Sequence, residues 1–242
     1  MTRKSTCYLI RHSERLDKID KELWLELVHS NTSRHPKDFS IDTSITENGI
    51  LLAQKAVNTL TNNVSSSDLS NIKVIFSSRM RRCIETAYYI AKEVNLPLCI
   101  SRGLALSVSS VNKKGPDHYN FMSIEDIRHY CDGVTVIDGD NNDDIEAINN
   151  TYNEVIIITT KLSKLSWYEA LDSITLNYTN SITVLHSEII KSFTKSNVPV
   201  GIPYCCICKF IVQTSGVGRG DKYELKSIYD CEGNSIECRT LL

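Results

Sequence analysis

Three short apolar runs in this 242-residue chain each end in a cluster of polar and basic side chains. Thr6 to Ile10 leads into Arg11, His12, Ser13, Glu14 and Arg15; Ile72 to Phe76 leads into Ser77, Ser78, Arg79, Met80, Arg81 and Arg82; and Ser181 to Leu185 leads into His186, Ser187 and Glu188. Arg11, His12, Arg15, Arg82 and His186 suit phosphoryl chemistry if the three runs end side by side. A phosphoryl group carries nearly two negative charges on three outer oxygens. Guanidinium forks match those oxygens with paired, charge-assisted hydrogen bonds. A neutral imidazole can attack phosphorus, and water then hydrolyses the phosphohistidine, so one hard displacement becomes two easier ones. One histidine would attack and the other would steady the developing charge. Taken singly, each residue reads as surface charge or as a satisfied structural histidine. Recurrence at three run ends is what sets them apart.

The pattern between the clusters says what must position them. Each apolar run is rich in strand formers and reads as a buried strand. Thr46 caps a helical stretch that places Ile50, Ala53, Val57 and Leu60 on one face. From Met80 to Val94, Cys83, Ala87, Ile90, Ala91 and Val94 form a second stripe, closed by Asn95 and Pro97. A third helix is expected from Ser187 to Lys195. Alternating strands and helices predict an α/β fold whose mainly parallel sheet is covered on both faces, with binding sites at the carboxyl ends of the strands. Helices that begin there add free N–H groups for an anion. From Cys205 onward, CCICKFIVQ, TSGVGRGD and YELKSIYD read as a β-hairpin at the sheet edge. Gly216, Gly218 and Gly220 are followed by a strand-like segment rather than a helix, so they suit a hairpin turn and not a nucleotide loop. Asn62 to Asn71 and Gly139 to Asp144 read as loops within one domain.

Composition limits the alternatives. With 41% apolar and 23% charged residues, the chain is ordinary globular sequence, near the upper size that one core serves. Its 27 basic and 29 acidic side chains give a net charge of -2, so no whole-molecule field holds nucleic acid or an anionic membrane. Aromatic residues are only 7% and accompany no basic stripe, which also argues against nucleic acid. No run approaches the roughly 18 apolar residues of a membrane span, and the apolar part of the first residues is short for a signal peptide. A cytoplasmic protein without nucleic-acid or membrane partners is expected. The nine cysteines are odd in number and widely spread, which favours reduced thiols. Cys205 and Cys208 form a C-x-x-C, but zinc needs about four ligands, and Cys231 and Cys238 make no second such pair. A buried strand is the reading, with no metal or cofactor.

The clusters also resemble a known family. Leu9 to Arg15 resembles the R-H-G-E signature of the histidine phosphatase superfamily, the phosphoglycerate mutase-like fold. SSRMRRCIETA, Ser77 to Ala87, resembles its S-S-P-L-x-R-C-x-Q-T-A segment, and VLHS, Val184 to Ser187, its V-x-H-G. More narrowly, Arg11 to Glu26, Pro36 to Gly49, Phe121 to Ile127 and Ile202 to Phe210 are similar to the phosphatase domain of the suppressor of T-cell receptor signalling proteins. That group includes the ubiquitin-associated and SH3-containing phosphatases and insect ecdysteroid-phosphate phosphatases. The resemblance covers nearly the whole chain. It implies a three-layer αβα sandwich over residues 1–242, with a substrate-side insertion at about 104–150. It implies that His12 is the nucleophile and that Arg11, Arg15, Arg82 and His186 bind phosphate. Mutases of the fold usually continue R-H-G-E-S-x-W-N, whereas Glu14 is followed here by Arg15, Leu16 and Asp17, as in the phosphatases. No extra groups for a glycerate carboxylate stand out. The length leads us to expect the phosphatase unit by itself, without ubiquitin-binding or SH3 modules.

Three departures qualify the resemblance. Ser13 and Ser187 replace the family's glycines, and their Cβ atoms are expected to crowd the pocket or bend the turn. Arg79 replaces a proline, adding charge near the site and removing rigidity at a helix start. Gly103-Leu104-Ala105-Leu106-Ser107 matches G-L-x-E-W with Leu106 where the general acid belongs. General acid help is commonly worth about 10²–10⁴ in rate. Its loss predicts a slow phosphomonoesterase that favours aryl leaving groups. Glu188, Asp117 and His118 are substitute acids among which spacing does not choose. The alternative is a pseudophosphatase that binds a phosphorylated ligand or protein without turnover. The expected partner is a phosphorylated small molecule or a phosphotyrosine protein, selected by Val108 to Asn150, and the resemblance permits a homodimer.

Overall fold

The computed structural model describes residues 4–32, 34, 41–105, 121–141, 143–144, 166–193, 201–213 and 222–237. Among them, seven strands form one sheet: β1 (Lys4–Arg11), β2 (Ile75–Ser78), β3 (Leu98–Ser101), β4 (Val136–Asp138), β5 (Asn180–Leu185), β6 (Ile207–Gln213) and β7 (Tyr223–Tyr229). The spatial order is β4-β3-β2-β5-β1-β6-β7. The first five of that order run parallel, and β6 and β7 are antiparallel, as the expected α/β architecture with a carboxyl-terminal hairpin requires.

Both faces of the sheet are covered. Tyr8 and Ile10 of β1 pack in one layer with Ala53, Leu60, Ile84 and Ile90. Cys7 and Leu9 pack in the other with Leu171, Ile174 and Ile190. Successive strand residues thus belong to opposite cores, which is why β2 and β5 are buried at every position rather than alternating between core and solvent. The first layer is built by α3 (Glu47–Asn63) and α5 (Arg81–Val94), and the second by α7 (Trp167–Asn177) and α8 (Ser187–Phe193). Before them come α1 (Leu16–Ile19) and α2 (Lys21–Ser30); α4 (Ser66–Ser70) and α6 (Ile124–Tyr130) are short. Among the described residues no helix is long and apolar enough to cross a membrane.

Local chemistry explains the boundaries. Thr46 accepts from Gly49 N and opens α3, as its position before an amphipathic stretch predicts. Asn95 closes α5 in the left-handed region at φ 53°. Two expectations need correction. The second strand begins at Ile75 rather than Ile72, because its partner β3 starts after Pro97, which has a carbonyl for Ile75 N at 2.9 Å but no N–H to give. It extends through Ser77 and Ser78, which pair with Ile100 and Ser101 of β3. Asn62 to Asn71 is not a loop: Asn62 and Asn63 finish α3, and Ser65 accepts from Asp68 N to open α4. The serines and aspartate that suggested a loop are capping residues on an exposed turn. Cys205 belongs to one core and Cys208 to the other, so the C-x-x-C thiols face opposite sides of the sheet. The hairpin turn with Gly216, Gly218 and Gly220 lies outside the described residues.

Candidate active site

The sheet register brings the three clusters together. Arg11 pairs with Leu185, and Ser77 pairs with Val184, so Arg11, Ser78 and Leu185 end adjacent parallel strands at one level. His12 N donates to Leu185 O at 2.9 Å and extends that level by one residue. His12 and His186 lie with ring centroids 5.5 Å apart, edge to face.

His12 is almost wholly buried. Its Nδ1 is 2.8 Å from Ser13 O, and because a carbonyl only accepts, Nδ1 carries the proton. The Nε2 lone pair is left free of it. Burial lowers the His12 pKa well below its usual value, and the charges of Arg82, Arg11 and Arg15 push the same way against the hydrogen bond to Ser13. His12 is thus a neutral imidazole at pH 7.

His186 has no exposed surface. Arg82 Nη2 donates to its Nδ1 at 3.2 Å, and its Nε2 is 3.0 Å from Ser78 Oγ. A guanidinium cannot accept, so Nδ1 is bare and Nε2–H donates to Ser78. Burial, then Arg82 and His12, lower this pKa well below the ordinary histidine range.

Arg82 is 4% exposed, and its Nε and Nη1 are buried without a partner. Among the described residues no carboxylate lies within ion-pair distance of it. A desolvated cation whose donors are idle calls for an anion. The first turn of α5 holds it: Asp42 accepts from Arg81 N at 2.6 Å, and Arg81 Nε donates to Glu85 at 2.7 Å. Thr86 joins this turn to the first cluster, since its hydroxyl donates to Arg82 O at 2.7 Å and accepts from Ser13 N at 2.9 Å.

Arg11 lies with its guanidinium carbon 4.1 Å from the Tyr204 ring centroid, and Nη1 donates to Ile202 O. Its Nε is buried and unpartnered. Arg15 differs: its fork closes on Asp17, at 2.9 Å to Oδ1 and 2.7 Å to Oδ2. Four of the five expected side chains therefore form one group, while Arg15 lends its positive field and keeps its donors on Asp17.

The departures take specific forms. Ser13 does not crowd the cluster with an idle hydroxyl, because its Oγ donates to Gly49 O at 2.6 Å. The close approach is met by Gly49, where a Cβ would lie 3.0 Å from Glu14 O. Arg79 adds little free charge: it faces Asp138 and Asp140 at 3.5 Å and ties the end of β2 to that of β4. Ser187 donates to Glu188, which is exposed on the first turn of α8. Leu106, Asp117 and His118 lie outside the described residues. Sequence reasoning missed Ser78, Thr86 and Tyr204. Thr86 had a signal, being one helical turn after Arg82; Tyr204 had only its place in the similar segment Ile202 to Phe210, which says nothing of its contact with Arg11. A cavity of about 800 Å³, lined by Lys73, Lys92, Pro97 and Val134 among others, opens at the opposite strand ends and includes none of these residues.

The profile of the histidine phosphatase superfamily (branch 1) matches residues 7–105, which carry His12, Arg11, Arg15 and Arg82 and stop short of His186. No curated protein matches the sequence. The chain is similar in fold to the ecdysone phosphate phosphatase from Bombix mori, solved with tungstate, at 14% identity and a TM-score of 0.54, over 92% of each chain. A phosphoglycerate mutase from Bacillus anthracis str. Sterne aligns at 15% identity and a TM-score of 0.45, over 93% of this chain and 92% of that one. A structure described as mycobacterial hydrolase 1 aligns at 13% identity and a TM-score of 0.46, over 92% and 97%.

Proposed function

We propose that this chain is a phosphomonoesterase that works through a phosphohistidine at His12 Nε2. The observation that carries this reading is Arg82: a buried cation with two idle donors, held by an unprotonated histidine nitrogen beside a second, neutral histidine. The match of residues 7–105 to histidine phosphatases supports the same reading.

In the first step the Nε2 lone pair attacks phosphorus and the bond from phosphorus to the ester oxygen breaks. Arg82 and Arg11 take up charge on the outer oxygens, and His186 holds the Arg82 fork in place. In the second step water attacks phosphorus, the N–P bond breaks, and inorganic phosphate leaves with the histidine restored. An alkyl oxygen needs a proton as it departs, whereas an aryl oxygen leaves more readily as the anion. With Leu106 at the position of the family's acid, the enzyme is slow and favours aryl phosphates, such as phosphotyrosine-like groups. Glu188, two residues after His186 and close enough to Arg11 to act on its charge, is the described carboxyl best placed to assist.

The chain acts as one phosphatase domain over 1–242, in the cytoplasm, on a phosphorylated small molecule or phosphotyrosine protein. The second reading, a pseudophosphatase that binds without turnover, draws on the commitment of Arg15 to Asp17. Turnover of aryl and alkyl phosphates, with His12→Ala as control, decides between them. Loss of both activities in the variant is expected; turnover indifferent to His12 contradicts the proposal.

A further inference from the structure

The segment from Ile202 to Cys206 brackets Arg11 on three sides. Arg11 N donates to Cys206 O at 3.1 Å, Nη1 donates to Ile202 O, and the Tyr204 ring covers the guanidinium at 4.1 Å. The same ring lies 5.9 Å from the His12 ring. Tyr204 is half-buried, and the residue after it, Cys205, adopts φ 53°, a conformation that a side chain other than glycine rarely takes. The chain thus makes an unfavourable turn immediately beyond Tyr204 before entering β6.

We infer that Tyr204 is a positioning residue for anion binding, holding the Arg11 guanidinium flat so that its unpartnered Nε faces the phosphoryl group. The inference rests on the proposed phosphatase site and adds to it a residue that lies outside the three basic clusters and that the spacing of charged residues does not indicate. A guanidinium on a flexible stem loses rotamer freedom on binding an anion. An aromatic face across one side and a carbonyl on Nη1 restrict that freedom beforehand, and the ring's negative face keeps the cation charged while most of its water is excluded.

The test is calorimetric binding of inorganic phosphate, which does not depend on turnover. Tyr204→Leu weakens binding roughly tenfold, within the range of a partly desolvated cation–π contact. Tyr204→Phe, which keeps the ring, stays within about twofold of wild type. In an Arg11→Met background, Tyr204→Leu adds no further loss, because its effect passes through Arg11. For an aryl phosphate the Leu variant raises KM more than it lowers kcat. Wild-type affinity in Tyr204→Leu, an equal loss in Tyr204→Phe, or additive losses with Arg11→Met each overturn the inference. A wild-type protein that binds no phosphate overturns the phosphatase reading itself, and this inference with it.

Discussion

Arg82 Nη2 donates to His186 Nδ1 across 3.2 Å, so the most buried cation of the cluster is held by a neutral group. Its charge is fixed in place but not neutralised, unlike that of Arg79 or Arg15, whose partners are carboxylates. Arg82→Met therefore removes a desolvated charge at the expense of one hydrogen bond. Those effects oppose each other, and the variant should melt within about 1 kcal/mol of wild type. Phosphate at a hundred times its Kd should stabilise wild type by about 2.7 kcal/mol and leave the variant unchanged. A loss of 3 kcal/mol or more without ligand, as for a broken buried ion pair, would contradict this account of Arg82. Thermal denaturation with and without phosphate measures both effects.

Both histidines have folded pKa values depressed by burial and by nearby arginines. Below the unfolded value of about 6.5, the unfolded chain binds protons that the folded chain refuses, so stability rises with pH in that window. Each histidine contributes up to about 1.4 kcal/mol per pH unit there and nothing further above it. Asp42 and Glu85, whose pKa values burial raises, act in the opposite sense. The difference between wild type and His186→Asn isolates the histidine contribution. Urea unfolding from pH 5 to 8 should show the wild-type slope reduced in the variant below pH 6.5 and equal slopes above it.

Ser13→Gly places the family's usual residue at this position, yet it should destabilise the protein. It removes the 2.6 Å bond to Gly49 O, both buried, at a cost of about 1–2 kcal/mol. Gly49→Ala should cost a similar amount or more by crowding Glu14 O and Ser13 Oγ, which lie 3.0 and 3.2 Å from the added Cβ. Chemical denaturation tests both; a more stable Ser13→Gly would show that the serine is merely tolerated.

Arg79→Pro makes the same point at the second motif. It removes the ion pairs to Asp138 and Asp140 and the hydrogen bond from Arg79 N to Ser101 O at 3.1 Å. A loss of about 2–4 kcal/mol is expected on unfolding, because Asp138 loses a charged partner in a nearly buried setting. Asp140→Asn in the same background should add less than it does alone.

The strands and the three clusters were legible because both follow from local sequence: apolar runs of strand formers, then charge. Convergence of Arg11, His12, Arg82 and His186 followed from a parallel sheet, which places like ends together. What the sequence hid depends on contacts between distant segments. Tyr204 reaches Arg11 only because β6 turns back beside β1, and Arg15 reads like Arg82 until the fork on Asp17 appears. Likewise Arg79 looked like free charge because its acidic partners lie at the end of β4, some sixty residues further on. The loop expected at Asn62 to Asn71 failed for a different reason, since capping and loop residues are the same types.

The central claim is nucleophilic attack by one nitrogen of one histidine. Rapid acid-free quenching after mixing the protein with an aryl phosphate, followed by mass spectrometry of the peptide bearing residue 12, measures it directly. The account predicts a phosphoryl group on His12, absent in His12→Ala and lost on standing as phosphate is released. Steady release of the aryl alcohol with no phosphoryl group on His12 at any time, and undiminished in His12→Ala, would contradict it.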